Sequence, residues 1–136
     1  MISLVLEYNA AEQPTKMGTF PQYQYPHTLH RYVECANFCG VFGKDDADTL
    51  KKFIAKIEEL KEAVGVKKTI ADYGVKEEDF LATLDEMSRN AFDDQCTGSN
   101  PRYPLISEIK EMYRKAYYGK DYQAKAEAVK EEKTEA

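Results

Sequence analysis

Tryptophan is absent and histidine occurs only twice, at His27 and His30. A self-contained hydrolase or metalloenzyme needs a base or ligand set that such a chain can barely supply. Basic residues are also short: 19 Lys+Arg stand against 24 Asp+Glu, a net charge of −5, whereas nucleic acid and anionic membrane surfaces both demand a basic face. No uninterrupted apolar run approaches the roughly 20 residues of a membrane span. The opening MISLVLEYNAAEQ has neither the basic start nor the small-residue cleavage site of a secretory leader. Three cysteines, an odd number at irregular spacing, fit free thiols in a reducing compartment better than a disulfide framework. The expectation is a cytoplasmic protein with no nucleic-acid and no membrane partner. Its 136 residues suffice for one core, and 43% hydrophobic content excludes a disordered chain.

What is present is helical periodicity. Over residues 47–64, Leu50, Phe53, Ile54, Ile57, Leu60 and Val64 recur at steps of three and four, which predicts one inward face. Asp45 or Asp46 can accept the orphan N–H groups at its start, and Gly65 can adopt the left-handed stop. Residues 27–39 place Leu29, Tyr32, Val33 and Ala36 inward and end at Gly40. Residues 77–92 do the same with Phe80, Leu81, Leu84, Met87 and Ala91, and their opening Glu77, Glu78 and Asp79 suit the positive end of the helix dipole. Residues 104–118 carry Ile106, Ile109, Met112, Tyr113, Ala116 and Tyr117, with Pro104 suited to the first turn. Residues 69–73 read as a single helical turn. No strand pattern appears, so the predicted fold is all-α, a bundle of about five helices.

Two segments are irregular. Residues 10–26 hold three prolines and the rings of Phe20, Tyr23 and Tyr25, which predicts an extended stretch pinned onto helices. Residues 120–136 are mixed in charge with almost no apolar anchor, which predicts a frayed or disordered tail after a domain spanning 1–119. At the other end, Ile2, Leu4, Val5 and Leu6 open an apolar helical run with no capping residue before it. That start reads as the cut edge of something longer.

Three constellations carry chemistry. His27, His30, Cys35 and Cys39 crowd one predicted helix, at roughly 0°, 300°, 80° and 120° around its axis. That fan is too wide to converge tetrahedrally. Cys35 and Cys39 can share an edge as an i,i+4 pair, and a metal or redox module would then take further ligands from elsewhere. Of the acidic clusters, the two at residues 45–46 and 77–79 are explained by capping. Asp93 and Asp94 end a helix, against the dipole, and suit an Asx turn. The third constellation is the loop 96–102, CTGSNPR. Gly98 frees the backbone, Asn100 can bond its own main chain, Pro101 fixes a turn and Arg102 can clamp carbonyls with its five donors. Both a purely structural turn and the wall of a pocket fit this loop. Cys96 as a nucleophile lacks an evident histidine to activate it.

Residues 91–105, AFDDQCTGSNPRYPL, resemble the C-terminal part of the iron-dependent alcohol dehydrogenases. The resemblance narrows to the alcohol dehydrogenase half of the bifunctional aldehyde–alcohol dehydrogenases of fermentative organisms. It extends in order through Val5-Leu6-Glu7-Tyr8-Asn9, Arg31-Tyr32 to Gly40-Val41, Gly74-Val75 with Asp79-Phe80, and Glu108-Ile109 with Ala116-Tyr117, covering about residues 2–119. It implies an α/β dinucleotide-binding domain followed by an all-helical domain, of which this chain would be the later portion. The implied chemistry is reversible NAD-dependent reduction of acetaldehyde to ethanol, with iron(II) polarising the carbonyl and nicotinamide delivering hydride. In that family one aspartate and three histidines hold the iron, on segments that would precede residue 1, and His27 and His30 match none of them. The glycine-rich cofactor turns have no counterpart here either. The resemblance therefore assigns this chain no metal ligand, no cofactor-binding residue and no catalytic residue, with iron and NAD(H) expected only of the larger parent. It carries over the loop: Cys96 and Thr97 as candidates for the substrate pocket, with Asn100, Pro101 and Arg102 holding the turn. The expected partner is the remainder of the parent dehydrogenase, and the chain alone is expected to be inactive. A reading of a different class is a helical assembly module that self-associates through exposed apolar faces.

Overall fold

The computed structural model describes residues 1–11 and 27–123. Five α-helices run in order: α1 Ile2–Asn9, α2 Thr28–Phe38, α3 Asp46–Ala63, α4 Glu77–Asp93 and α5 Ile106–Tyr118. Short 3₁₀ turns occupy Ala71–Tyr73 and Thr97–Ser99, and the described residues contain no strand. The all-α bundle of five helices is the fold the periodicity predicts. The Pro-rich aromatic segment expected over residues 10–26 lies almost wholly outside the described residues, as does most of the charged tail. The part of that tail from 120 to 123 folds back: the Tyr122 amide donates to the Gly119 carbonyl (3.0 Å), and the Tyr122 ring stacks on Tyr118 at 4.6 Å.

The helix stops follow from local chemistry. Asp45 caps α3, its side chain accepting from the Asp48 amide at 2.8 Å. Gly65 takes φ 78°, and beyond it Val66 N–H reaches the Lys61 carbonyl (2.8 Å) while Gly65 N–H reaches Glu62 (3.0 Å). That double closure satisfies carbonyls the helix end would otherwise leave bare. Gly40 (φ 77°) ends α2 by the same pattern, with Val41 N–H on Ala36 (2.9 Å) and Gly40 N–H on Asn37 (3.0 Å).

Packing joins α2 to α3 and α4 to α5, while α1 touches both α3 and α5. The densest cluster lies between α4 and α5, where Phe80, Leu84 and Tyr117 are buried and Ile70, Met87 and Tyr113 pack around them. The Phe80 and Tyr117 rings stack at 4.3 Å with 12° between planes. The Tyr117 hydroxyl, which would otherwise be costly inside, donates to the Val75 carbonyl at 2.9 Å. Lys110 of α5 reaches Asp85 of α4 (2.6 Å), and this bond holds the Asp85 carboxyl below the usual carboxylate range. In the other pair, Val33 and Ala36 of α2 and Ile54 and Thr49 of α3 are buried.

Three expected core positions face outward instead. Leu60 and Val64 are 63% and 67% exposed, and Leu81 is 48% exposed. The reason at α3 is length: its 18 residues run about 27 Å, whereas the 11 residues of α2 run about 16 Å, so the far end outlasts its partner. Leu81 stands about 100° round from Phe80, at the margin of the inward face. Pro104 is also displaced from its expected place in the first turn of α5. The helix begins at Ile106 because the Glu108 carboxylate accepts from the Leu105 amide (2.8 Å) and makes Leu105 the cap, leaving Pro104 just outside. Leu105 has no side-chain acceptor, so only the Glu108 half of a reciprocal capping box exists.

Candidate functional site

The loop between α4 and α5 is built from local turns at its front and long-range tethers at its back. At the front, Asp94 makes the Asx turn its position suggests, its Oδ1 accepting from the Cys96 amide at 2.8 Å. The Thr97 hydroxyl donates to the Ala91 carbonyl at 2.6 Å, and Ser99 Oγ donates to the Cys96 carbonyl at 2.8 Å. Cys96 is exposed and Thr97 half-buried.

At the back the loop is fastened to α1 and α5. Asn100 and Asn9 face each other as reciprocal amides: Asn100 Nδ2 donates to Asn9 Oδ1 (2.7 Å), and Asn9 Nδ2 donates to Asn100 Oδ1 (3.1 Å). Asn100 Nδ2 also donates to the Arg102 carbonyl (2.5 Å), the local backbone bond its residue type predicts. Asn9, 6% exposed, places Nδ2 3.3 Å from the Tyr32 hydroxyl and so reaches α2 as well. Arg102 clamps a carbonyl, that of Tyr8, through Nη1 at 3.1 Å. Its guanidinium lies over the Tyr8 ring, 4.1 Å from the centroid, and its Nη2 stands 3.8 Å from Glu108 Oε1. Arg102 Nε is buried without a hydrogen-bond partner among the described residues. The Tyr8 hydroxyl donates to Glu108 Oε2 at 2.8 Å, with the Tyr103 carbonyl at 3.3 Å also within reach. Burial, then the carboxylate beside it, pushes the Tyr8 phenol well above the ordinary tyrosine range, so it stays a neutral donor.

Asn100 and Arg102 thus each bond both within the loop or its neighbourhood and to α1, and Pro101 sits exposed at the turn between them. Tyr8, Asn9, Tyr32 and Glu108 complete the arrangement and were not singled out for it by sequence. Only Glu108 left a signal, three residues after Leu105, where an acid commonly caps a helix start.

The other candidate constellation does not come together. The His30 ring lies between carboxylates, Nδ1 3.4 Å from Asp46 and Nε2 3.8 Å from Glu34, while Cys35 and Cys39 are exposed thiols. Among the described residues no three His, Cys, Asp or Glu side chains form a group able to hold a metal ion. These residues do not fit an iron centre, and none is assigned to one. No helix among the described residues is long and apolar enough to cross a membrane.

A helical bundle whose last loop reads NPR and is locked to its first helix has a match among known families. Residues 5–117 match the Fe-containing alcohol dehydrogenase family, C-terminal, and the chain belongs to that family. Among individual proteins it is 46% identical over 134 residues to the bifunctional aldehyde-alcohol dehydrogenase of Escherichia coli, which covers 97% of this chain and 15% of that protein. It is 47% identical over 113 residues to the aldehyde-alcohol dehydrogenase of Clostridium acetobutylicum, covering 83% of this chain and 13% of that one. An alcohol dehydrogenase of Thermococcus barophilus is 41% identical over 88 residues, 65% of this chain and 21% of its own length. The chain therefore spans only a small part of the curated relatives it matches, and corresponds to the C-terminal portion of an iron-containing alcohol dehydrogenase.

Proposed function

We propose that this chain is the closing helical wall of an aldehyde–alcohol dehydrogenase that reversibly reduces acetaldehyde to ethanol with NAD(H). Residues 1–119 form part of its helical C-terminal domain, and 120–136 follow as a charged tail. The observation that carries the reading is the family match together with the tethered loop, whose elaborate anchoring at Asn100 and Arg102 leaves Cys96 and Thr97 at its front. In this reading Cys96 and Thr97 face the aldehyde, and Asn100, Pro101 and Arg102 hold them there. Their work is placement and exclusion of water; the iron and the hydride donor are held by other segments of the parent. The remainder of that parent is the partner, and the chain by itself is not catalytically competent. The test is NADH oxidation by the purified chain with acetaldehyde and added ferrous iron. We expect no rate above the protein-free control. Saturable turnover would falsify the assignment.

A second reading, as an assembly module, is favoured by the apolar side chains left outside the bundle. Phe38 is 94% exposed and Phe42 65% near the start of α3, and Leu60 and Val64 are exposed at its far end. Such side chains are common singly on a surface, and a second copy that covered them would remove their apolar area from water. In this reading the occupant is a second copy of the chain. Sedimentation at micromolar concentration is expected to show mass rising with concentration, with apolar dye bound at the low end. A strictly monomeric species that binds no dye refutes it.

A further inference from the structure

We infer that Asn9, at the end of α1, is a positioning residue for the loop that bears Cys96 and Thr97. The inference rests on the proposed reading of that loop as substrate-facing, and adds a residue 91 positions away to its machinery.

Among the described residues, the loop's front makes no long-range hydrogen bond of its own. The bonds that Cys96, Thr97 and Ser99 donate close on residues 91–96, within the loop and the last turn of α4. Distance from the rest of the fold is set at the back, by Asn100 and Arg102. Of these, Arg102 grips the Tyr8 main-chain carbonyl, which almost any residue would present, and lies over the Tyr8 ring without a hydrogen bond to that side chain. Asn100 instead grips a side chain, and that side chain must offer one donor and one acceptor in the right order. Asn9 does so from a buried position while its amide also reaches the Tyr32 hydroxyl of α2. One carboxamide therefore registers the loop against two helices. A carboxylate offers no donor, and a single hydroxyl oxygen cannot present donor and acceptor side by side to both amide atoms of Asn100. Asn9→Asp keeps the shape but turns an acceptor toward Asn100 Oδ1, and the pairing breaks from within.

Hydrogen exchange on the intact chain tests the first half of the inference. The amides of Thr97, Ser99 and Asn100 are each bonded inside the loop, to the Asp94, Cys96 and Thr97 carbonyls. In Asn9→Asp they are expected to exchange about tenfold faster or more, the scale of one lost bond to a buried group, while amides in the middle of α4 and α5 change less than about twofold. If Asn9→Asp does not fold, Asn9→Ser, which keeps a hydroxyl but cannot pair reciprocally, is read in the same way. Loop amides that exchange as in the unaltered chain overturn the inference. So does faster exchange throughout the bundle, which marks a merely structural residue.

Steady-state kinetics of the parent dehydrogenase carrying the same change tests the second half. The KM for acetaldehyde should rise about tenfold with the KM for NADH unchanged. A loosened loop with both constants unchanged sinks the substrate-facing reading of residues 96–97, and with it the positioning role. An unchanged loop sinks the role of Asn9 alone.

Discussion

Phe80→Ala is expected to cost about 3–5 kcal/mol, the range for removing a fully buried aromatic ring. A domain of this size has a total stability of about 5–15 kcal/mol, so the loss is a large share of it and the urea midpoint should fall steeply. The ring is 2% exposed, stacks face to face on Tyr117 and meets the Tyr118 ring edge-on at 6.2 Å. Its loss opens a hole where α4 and α5 meet, with Leu84 and Tyr113 on the lining. Tyr117 cannot swing in to fill the space without giving up its bond to the Val75 carbonyl. The neighbouring Leu81→Ala is the control, because that side chain is 48% exposed and should change stability by no more than about 0.5 kcal/mol. Urea unfolding followed by far-ultraviolet circular dichroism reads both. Equal losses at residues 80 and 81 would contradict the core described for this helix pair.

Arg102→Ala is the second large effect, about 2.5–5 kcal/mol. A hydrogen bond from a charged donor contributes about 1.5–3 kcal/mol, and a cation over an aromatic ring shielded from water adds about 1–2. The Arg102 side chain is only 16% exposed, so little of this is screened away, while the 3.8 Å approach to Glu108 is too long to add much. The melting temperature should fall by on the order of 10 °C. Arg102→Lys should recover less than half of the loss. It keeps the charge but has no planar fork to lie flat on Tyr8 while reaching the Tyr8 carbonyl. Calorimetry of the three proteins decides this, and a Lys variant as stable as the Arg protein would show that charge alone does the work.

These two sites differ in how visible they were in the sequence. Phe80, Leu84 and Tyr117 fall on three-and-four spacings within single helices, so periodicity alone marks them as buried. Periodicity says which side of a helix is apolar but not how long its partner is, which is why it predicts Leu60 and Val64 inside although they lie outside. Helix ends were legible wherever one residue type solves a local problem: Asp45 at the start of α3, Gly40 and Gly65 at two stops. At the start of α5 Pro104 suits a first turn, whereas the Glu108 carboxylate accepts from the amide one residue later, where the cap lies. The loop was half legible. Asn100, Pro101 and Arg102 announce a constrained turn by type, but nothing near them indicates that their partners are Tyr8 and Asn9. Pairings across some ninety residues leave no period and no local composition to read. Cys96 and Thr97 bond only nearby residues among those described, so their standing depends on what lies in front of the loop.

The paired amides of Asn9 and Asn100 also bear on how the protein ages. Asparagine degrades spontaneously when the next residue's backbone nitrogen attacks the side-chain carbonyl and closes a five-membered imide. After Asn100 that nitrogen belongs to Pro101, which carries no hydrogen to lose. Asn9 is held in the last turn of a helix, with its amide hydrogens and oxygen engaged by Asn100 and Tyr32. The two carboxamides on which the loop's register depends are thereby shielded from slow conversion to aspartate, the same chemical change that Asn9→Asp would impose at a stroke.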